Sequence, residues 1–208
     1  MFENLKADFA RYRGYGYRRG PLLLLFEQHQ VWAIVCYRFG NWLSRSRAPK
    51  WVRLIPLAVY HVWWKIIQIT TGIWISGDAT IGPGLYIGHF GQIFIGAEST
   101  LGSYCNLSQG VTLGVGRRAG EWGVPQLGDR VYLAPGAKVV GPIRLEDGVV
   151  VGANAVMLKD APADTVWAGI PARPIAKSGS AEYMGPDVPL PPDREPDDPA
   201  PEAGVEGV

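Results

Sequence analysis

Residues 73–107 read IWISGDATIGPGLYIGHFGQIFIGAESTLGSYCNL, and the spacing of their aliphatic side chains decides the fold. Ile75, Ile81 and Ile87 stand six apart. After a slip of two residues the spacing resumes at Ile95, Leu101, Leu107 and Leu113, and later at Leu127, Leu133, Val139, Leu145, Val151 and Met157. Gly82, Gly88, Gly96, Gly102, Gly114, Gly128 and Gly152 each follow the aliphatic residue. A period of six matches neither a helix nor plain strand alternation; it is the mark of a hexapeptide β-helix. Each hexapeptide is expected to give one short strand and one corner, with one aliphatic side chain turned inward. Three hexapeptides close a triangular coil, and coils stack because none buries its face alone.

Residues 114–126 (GVGRRAGEWGVPQ) break the period and are expected to leave the coil as a loop carrying Arg117 and Arg118. Loops projecting from rigid scaffolds are common carriers of function. Outside the repeat the chain divides into a helical region, 1–70, the β-helix, 71–177, and a tail, 178–208. Val31, Trp32, Val35, Phe39, Trp42 and Leu43 recur at helical spacing. A second apolar stretch, 51–69, holds only eleven uncharged residues between Arg53 and Lys65. That is too short to span a bilayer, which takes about 20. Two readings stand: a helix packed on the protein or on another subunit, or a helix lying on a membrane surface through Leu57, Val59, Trp63 and Trp64. The tail (PPDREPDDPAPE) is rich in proline and acid and is expected to be disordered.

The 208 residues are 47% hydrophobic and 19% charged, which supports a packed core. A net charge of +1 gives no signal for nucleic acid, although the region before Thr71 is basic and the tail acidic. Cys36 and Cys105 form neither a disulfide framework nor a metal-binding spacing and read as buried thiols in a reducing compartment. Met1–Gly20 lacks the pattern of a secretory signal, so the expected location is cytoplasmic, with peripheral contact at the inner membrane face as the sharper alternative. Of three histidines, His29 and His61 read as packing or surface residues. His89 sits two residues after Ile87, where the register slips, flanked by glycines. A histidine there is the natural general base near neutral pH.

The stretch TGIWISGDATIGPGLYIGHFGQIFIG, with CNLSQGVTLG, LAPGAKVVGPI, VGANAVM and WAGIPARPI, resembles the hexapeptide-repeat acyltransferases. Within them it is most similar to the serine O-acetyltransferase group and its relatives in polysaccharide gene clusters. The resemblance covers 71–175, and MFENLKADF and AIVCYRFGNWL are similar to the helices preceding the coils in that group. It implies a left-handed parallel β-helix, a homotrimer or dimer of trimers, acetyl-CoA as co-substrate, no metal, no nucleic acid, and His89 as the base that deprotonates a hydroxyl acceptor. It further implies that Ala134, Gly136, Ala153, Gly169 and Ile170 line the coenzyme groove between subunits. Lys138, Lys159 and Arg173 are the expected partners of its phosphates. Trp74, Asp78, Gln92, Arg117 and Arg118 are the expected acceptor-binding residues.

The chain departs from that family at the acceptor site. Gly88 stands where serine acetyltransferases carry an acid before the histidine, Gly123 and Val124 where they carry an arginine–histidine pair, and Trp74 where they orient the histidine with a carboxylate. No Asp-Pro-Ala motif ends the helical region. A site for a zwitterion needs partners of both signs, so the expected acceptor is a sugar hydroxyl of a polysaccharide precursor. Serine, feeding cysteine synthesis, is the first alternative and a catalytically weak assembly module the second. Asp78 or a backbone carbonyl is the expected substitute for the carboxylate that orients His89.

Overall fold

The computed structural model describes residues 1–17, 20–185 and 188. Four helices come first: α1 (Phe2–Gly14), α2 (Pro21–Glu27), α3 (His29–Arg45) and α4 (Lys50–Thr71). Gly72 ends α4 in the left-handed region (φ 65°), its N–H bonded to the Gln68 carbonyl. That conformation is the usual helix stop before a change of direction, and the parallel solenoid begins at Ile73.

Its short strands stack into three parallel sheets, the faces of a triangular prism. On face A, Ile75, Ile95, Leu113, Val139 and Met157 lie in register. Face B stacks Ile81, Leu101, Leu127 and Leu145. Face C stacks Ile87, Leu107, Leu133, Val151 and Trp167. All thirteen aliphatic positions read from the sequence are buried, and each matches its neighbour one coil away. A second inward position went unread. Ile73, Ala79, Leu85, Ile93, Cys105, Val111, Val131, Ala137, Ile143, Val149 and Ala155 stand two residues earlier and are also buried. Strand alternation turns i and i−2 to the same side, so each hexapeptide contributes two core side chains. Cys105 is one of them, and burial pushes its thiol up to about 12. Cys36 is buried as well, and desolvation raises it likewise to about 12.

The first coil presents an open strand edge on every face, and the helices close all three. Trp64 Nε1 donates to the Ile75 carbonyl on face A (3.3 Å). On face B, the Tyr37 hydroxyl donates to the Ala79 carbonyl and accepts from the Ile81 N–H. Tyr12 donates to the Ile87 carbonyl and accepts from its N–H on face C. Arg38 of α3 is buried. It pairs with Asp8 (2.8 Å, both side chains 3% exposed) and donates to the Ile81 and Gly82 carbonyls. These bonds occupy the edge that would otherwise recruit another strand.

One expectation is sharpened and one changes. The excursion after Leu113 leaves the coil as a hairpin: Gly116–Arg118 pairs antiparallel with Glu121–Gly123. Positive φ at Ala119 and Gly120 forms the tight turn that suits the twist of two strands. The tail also begins later than expected. Residues 178–185 fold onto the prism, with Ser180 and Met184 buried, Tyr183 stacked on Tyr132, and Asn106 donating to the Tyr183 carbonyl. The disorder expected from 186 onward falls, Val188 apart, outside the described residues.

Candidate active site

The prism has three corner columns. The one between faces C and A holds His89. His89 follows Ile87 by two residues, and Gln109, Pro135, Ala153 and Gly169 follow the registered partners of Ile87 by the same step. Backbone bonds tie the column together: Gly110 N–H to Gly91, Gly136 N–H to Gln109, and Asn154 N–H to Pro135. Coils stack about 4.8 Å apart, so Ala153 lies about 14 Å along the corner from His89. The slip read from the sequence is the two-residue bulge of this corner, where Gly91 (φ 110°) and Gln92 (φ 52°) take left-handed conformations.

His89 is exposed, on a wall that α3 buttresses from behind. Gln30 Nε2 donates to the Gly88 carbonyl (3.3 Å), and the His29 ring meets Phe90 edge-on at 5.7 Å. On the adjoining face A, the outward row runs Trp74, Phe94, Thr112, Lys138. Trp74 and Phe94 stack at 4.2 Å with planes 7° apart, and Trp64 lies 6.1 Å from Trp74. Gln109, in the coil next to His89, has a buried side-chain carbonyl oxygen with no hydrogen-bond partner. A buried acceptor left open is costly, and a corner beside a histidine is a place where a ligand donor would satisfy it.

No family model matches the chain. It is 37% identical over 183 residues to a serine acetyltransferase of Synechococcus elongatus, covering 86% of this chain and 70% of that protein. Its fold matches the crystal structure of serine acetyltransferase from Vibrio cholerae with a TM-score of 0.58 at 30% identity, over 69% of this chain and 52% of that one. The chain belongs to the serine acetyltransferase family. A family structure solved in complex with CoA matches with a TM-score of 0.57 at 28% identity, over 69% of this chain and 55% of that one. The chain thus spans about half the length of these solved family members. Family membership makes the fold a left-handed solenoid. It supports the serine acetyltransferase part of the resemblance.

The family frame divides the expected site residues into two groups. His89, Gln92, Ala134, Gly136, Ala153, Gly169 and Ile170 all belong to the corner between faces C and A. Arg173 stands opposite Ala168 on the antiparallel strand beside that column's end. Trp74 and Lys138 are on the adjoining face. Lys138 is half-buried, and its ammonium donates to the Gly110 carbonyl and the Thr112 hydroxyl.

The other group lies at a different corner. Asp78 follows Ile75, between faces A and B, so it does not reach His89 within one chain. Lys159 follows Met157 at that same corner. The hairpin departs there too: Arg117 donates to the Gly120 carbonyl across the turn, and Arg118 pairs with Asp160 at 2.7 Å. Arg118, followed by the Arg144 N–H, holds the Asp160 carboxyl below its usual range. The hairpin base, with Glu98, Gly123, Val124, Arg144 and Asp160, lines an open cleft of about 450 Å³. Sequence reading missed Phe94 and Gln109, and it took His29 as a packing or surface residue, as its contacts with Trp32 and Phe90 bear out. Phe94 and Gln109 were findable, because they occupy the register positions of Trp74 and His89 one coil on.

Proposed function

We propose that the protein transfers an acetyl group from acetyl-CoA to a hydroxyl, with L-serine as the acceptor that the relatives' names support. The observation that carries the reading is the corner column: one exposed histidine at its head, then Gln109, then Pro135, Ala153 and Gly169. Small residues there leave space for a pantetheine arm along the backbone. His89 takes the proton of the hydroxyl as its oxygen attacks the thioester carbonyl. The C–O bond forms, the C–S bond breaks, and the CoA sulfur leaves, regaining that proton. A hydroxyl is a poor nucleophile without such a base, and the transient oxyanion needs a donor, typically a backbone N–H. The Gln109 carbonyl is free to accept a hydrogen bond from the acceptor.

The expected trimer supplies what one chain lacks. His89 and the hairpin occupy different corners, so a neighbouring copy's hairpin would close the site. A second reading, a sugar hydroxyl as acceptor, is favoured by the Trp74–Phe94 stack, which stands where the family holds a carboxylate. Flat aromatic faces suit sugar rings, and no charged pair for a zwitterion stands at Gly88, Gly123 or Val124.

CoA release from acetyl-CoA, measured with L-serine and with a panel of sugars, separates the readings. Turnover with L-serine that falls about 10²- to 10⁴-fold in His89→Ala establishes the first. Turnover with a sugar alone replaces it with the second.

A further inference from the structure

We infer that the outer face of α4 docks on an anionic lipid surface. Val52, Ile55, Val59, Val62, Ile66 and Ile69 recur at alternating steps of three and four, and from Ile55 onward they are 50–77% exposed. They form one β-branched stripe along about 25 Å of helix. Trp51, 79% exposed, stands at its start, where an indole suits the depth of lipid headgroups. The opposite side of α4 faces the protein: Tyr60 and Ile67 are buried, and Leu57, Trp63 and Trp64 pack on the core. The membrane face expected from sequence is therefore corrected. Of its four residues only Val59 points outward.

Charge selects the occupant. From residue 28 to residue 77 the chain has no acid and carries Arg38, Arg45, Arg47, Lys50, Arg53 and Lys65. Arg38 is spent on Asp8, Arg45 donates to the Thr80 hydroxyl and Arg53 to the Ser44 carbonyl; Arg47 and Lys50 precede the stripe, and the exposed Lys65 lies within its span. Two copies of α4 packed stripe to stripe would set these cations together with no acid between them, whereas paired helices usually place opposite charges beside the seam. A surface of anionic headgroups over acyl chains meets both the cations and the stripe. Among the described residues no helix is long and apolar enough to cross a membrane, so α4 lies on the surface.

The test is sedimentation of the full chain with phosphatidylglycerol-rich and with pure phosphatidylcholine vesicles, beside Val62→Asp/Ile66→Asp and Arg53→Gln/Lys65→Gln. Wild type should bind the anionic vesicles about tenfold more than the neutral ones, and less at high salt. The Asp variant should lose binding to both at an unchanged melting temperature and unchanged CoA release. The Gln variant should lose only the anionic preference. Should the Asp variant melt early, Ile55→Ser/Ile69→Ser takes its place. Equal binding to both vesicle types, binding that survives the Asp variant, or an Asp variant that changes oligomeric mass instead would overturn the inference. The last outcome would make the stripe a contact between copies. CoA release is read separately, so failure here leaves the proposed transfer untouched.

Discussion

At the scale of single residues, the corner between faces C and A concentrates groups whose partners are incomplete. His89 is exposed at the bulge, and the Gln109 carbonyl one coil away is buried without a donor. An orphan acceptor in a core is destabilising, by about 1–3 kcal/mol. Its position beside the base makes a ligand hydrogen bond the simplest account. Gln109→Met keeps the volume and removes the acceptor. Acceptor KM should rise, or kcat fall, by about tenfold, which is the rate equivalent of about 1.4 kcal/mol, while the melting temperature holds or rises. Unchanged kcat and KM would assign the oxygen no role. Trp74 shows the same corner from the side of specificity. A carboxylate there would orient an imidazole by charge, and an indole stacked on Phe94 has no charge to offer.

At the scale of elements, the repeat was legible because its period is its structure. Six residues make one strand and one corner, so spacing alone located all thirteen stacked positions. The second inward set was harder to see, because it mixes Ile and Val with Ala, Cys and, at position 99, Ser, and a mixed set shows no hydrophobic period. The helices were legible as helices, but their task was not. Tyr12, Tyr37 and Trp64 look like ordinary amphipathic residues until the open strand edges of the first coil are placed beside them. Arg38 illustrates the limit most sharply, since its partner Asp8 lies thirty positions away in another helix. Asp8→Ala would strand a buried guanidinium and leave the Leu85 N–H without its acceptor. The cost should be about 3–5 kcal/mol in urea unfolding. Asp8→Leu/Arg38→Met, which removes both charges, should cost clearly less than Asp8→Ala alone. Equal losses would mean that the pair holds the edge through its backbone bonds and not through its charge.

At the scale of the whole molecule, the prism separates the two halves of the expected site. The base and the small-residue column occupy one corner, while Arg117, Arg118, Lys159 and Asp78 occupy the next. Sequence reading grouped them because it orders residues along the chain. A prism instead sorts them by their phase within the eighteen-residue coil. The proposed trimer would reconcile the two, since each corner of one copy would meet a different corner of its neighbour. The consequence is testable by complementation. His89→Ala keeps an intact hairpin, and a chain with residues 116–123 replaced by a short glycine linker keeps its base. Each alone should be nearly inactive. Refolded or co-expressed together, they form mixed trimers in which a site is whole when a hairpin-deleted chain meets the hairpin of a His89→Ala chain. With random assembly at equal amounts, about a quarter of all sites satisfy that condition, so CoA release should recover to about a quarter of the wild-type rate. If His89 instead works with the hairpin of its own chain, mixing restores nothing, because every chain then lacks one half of its own site.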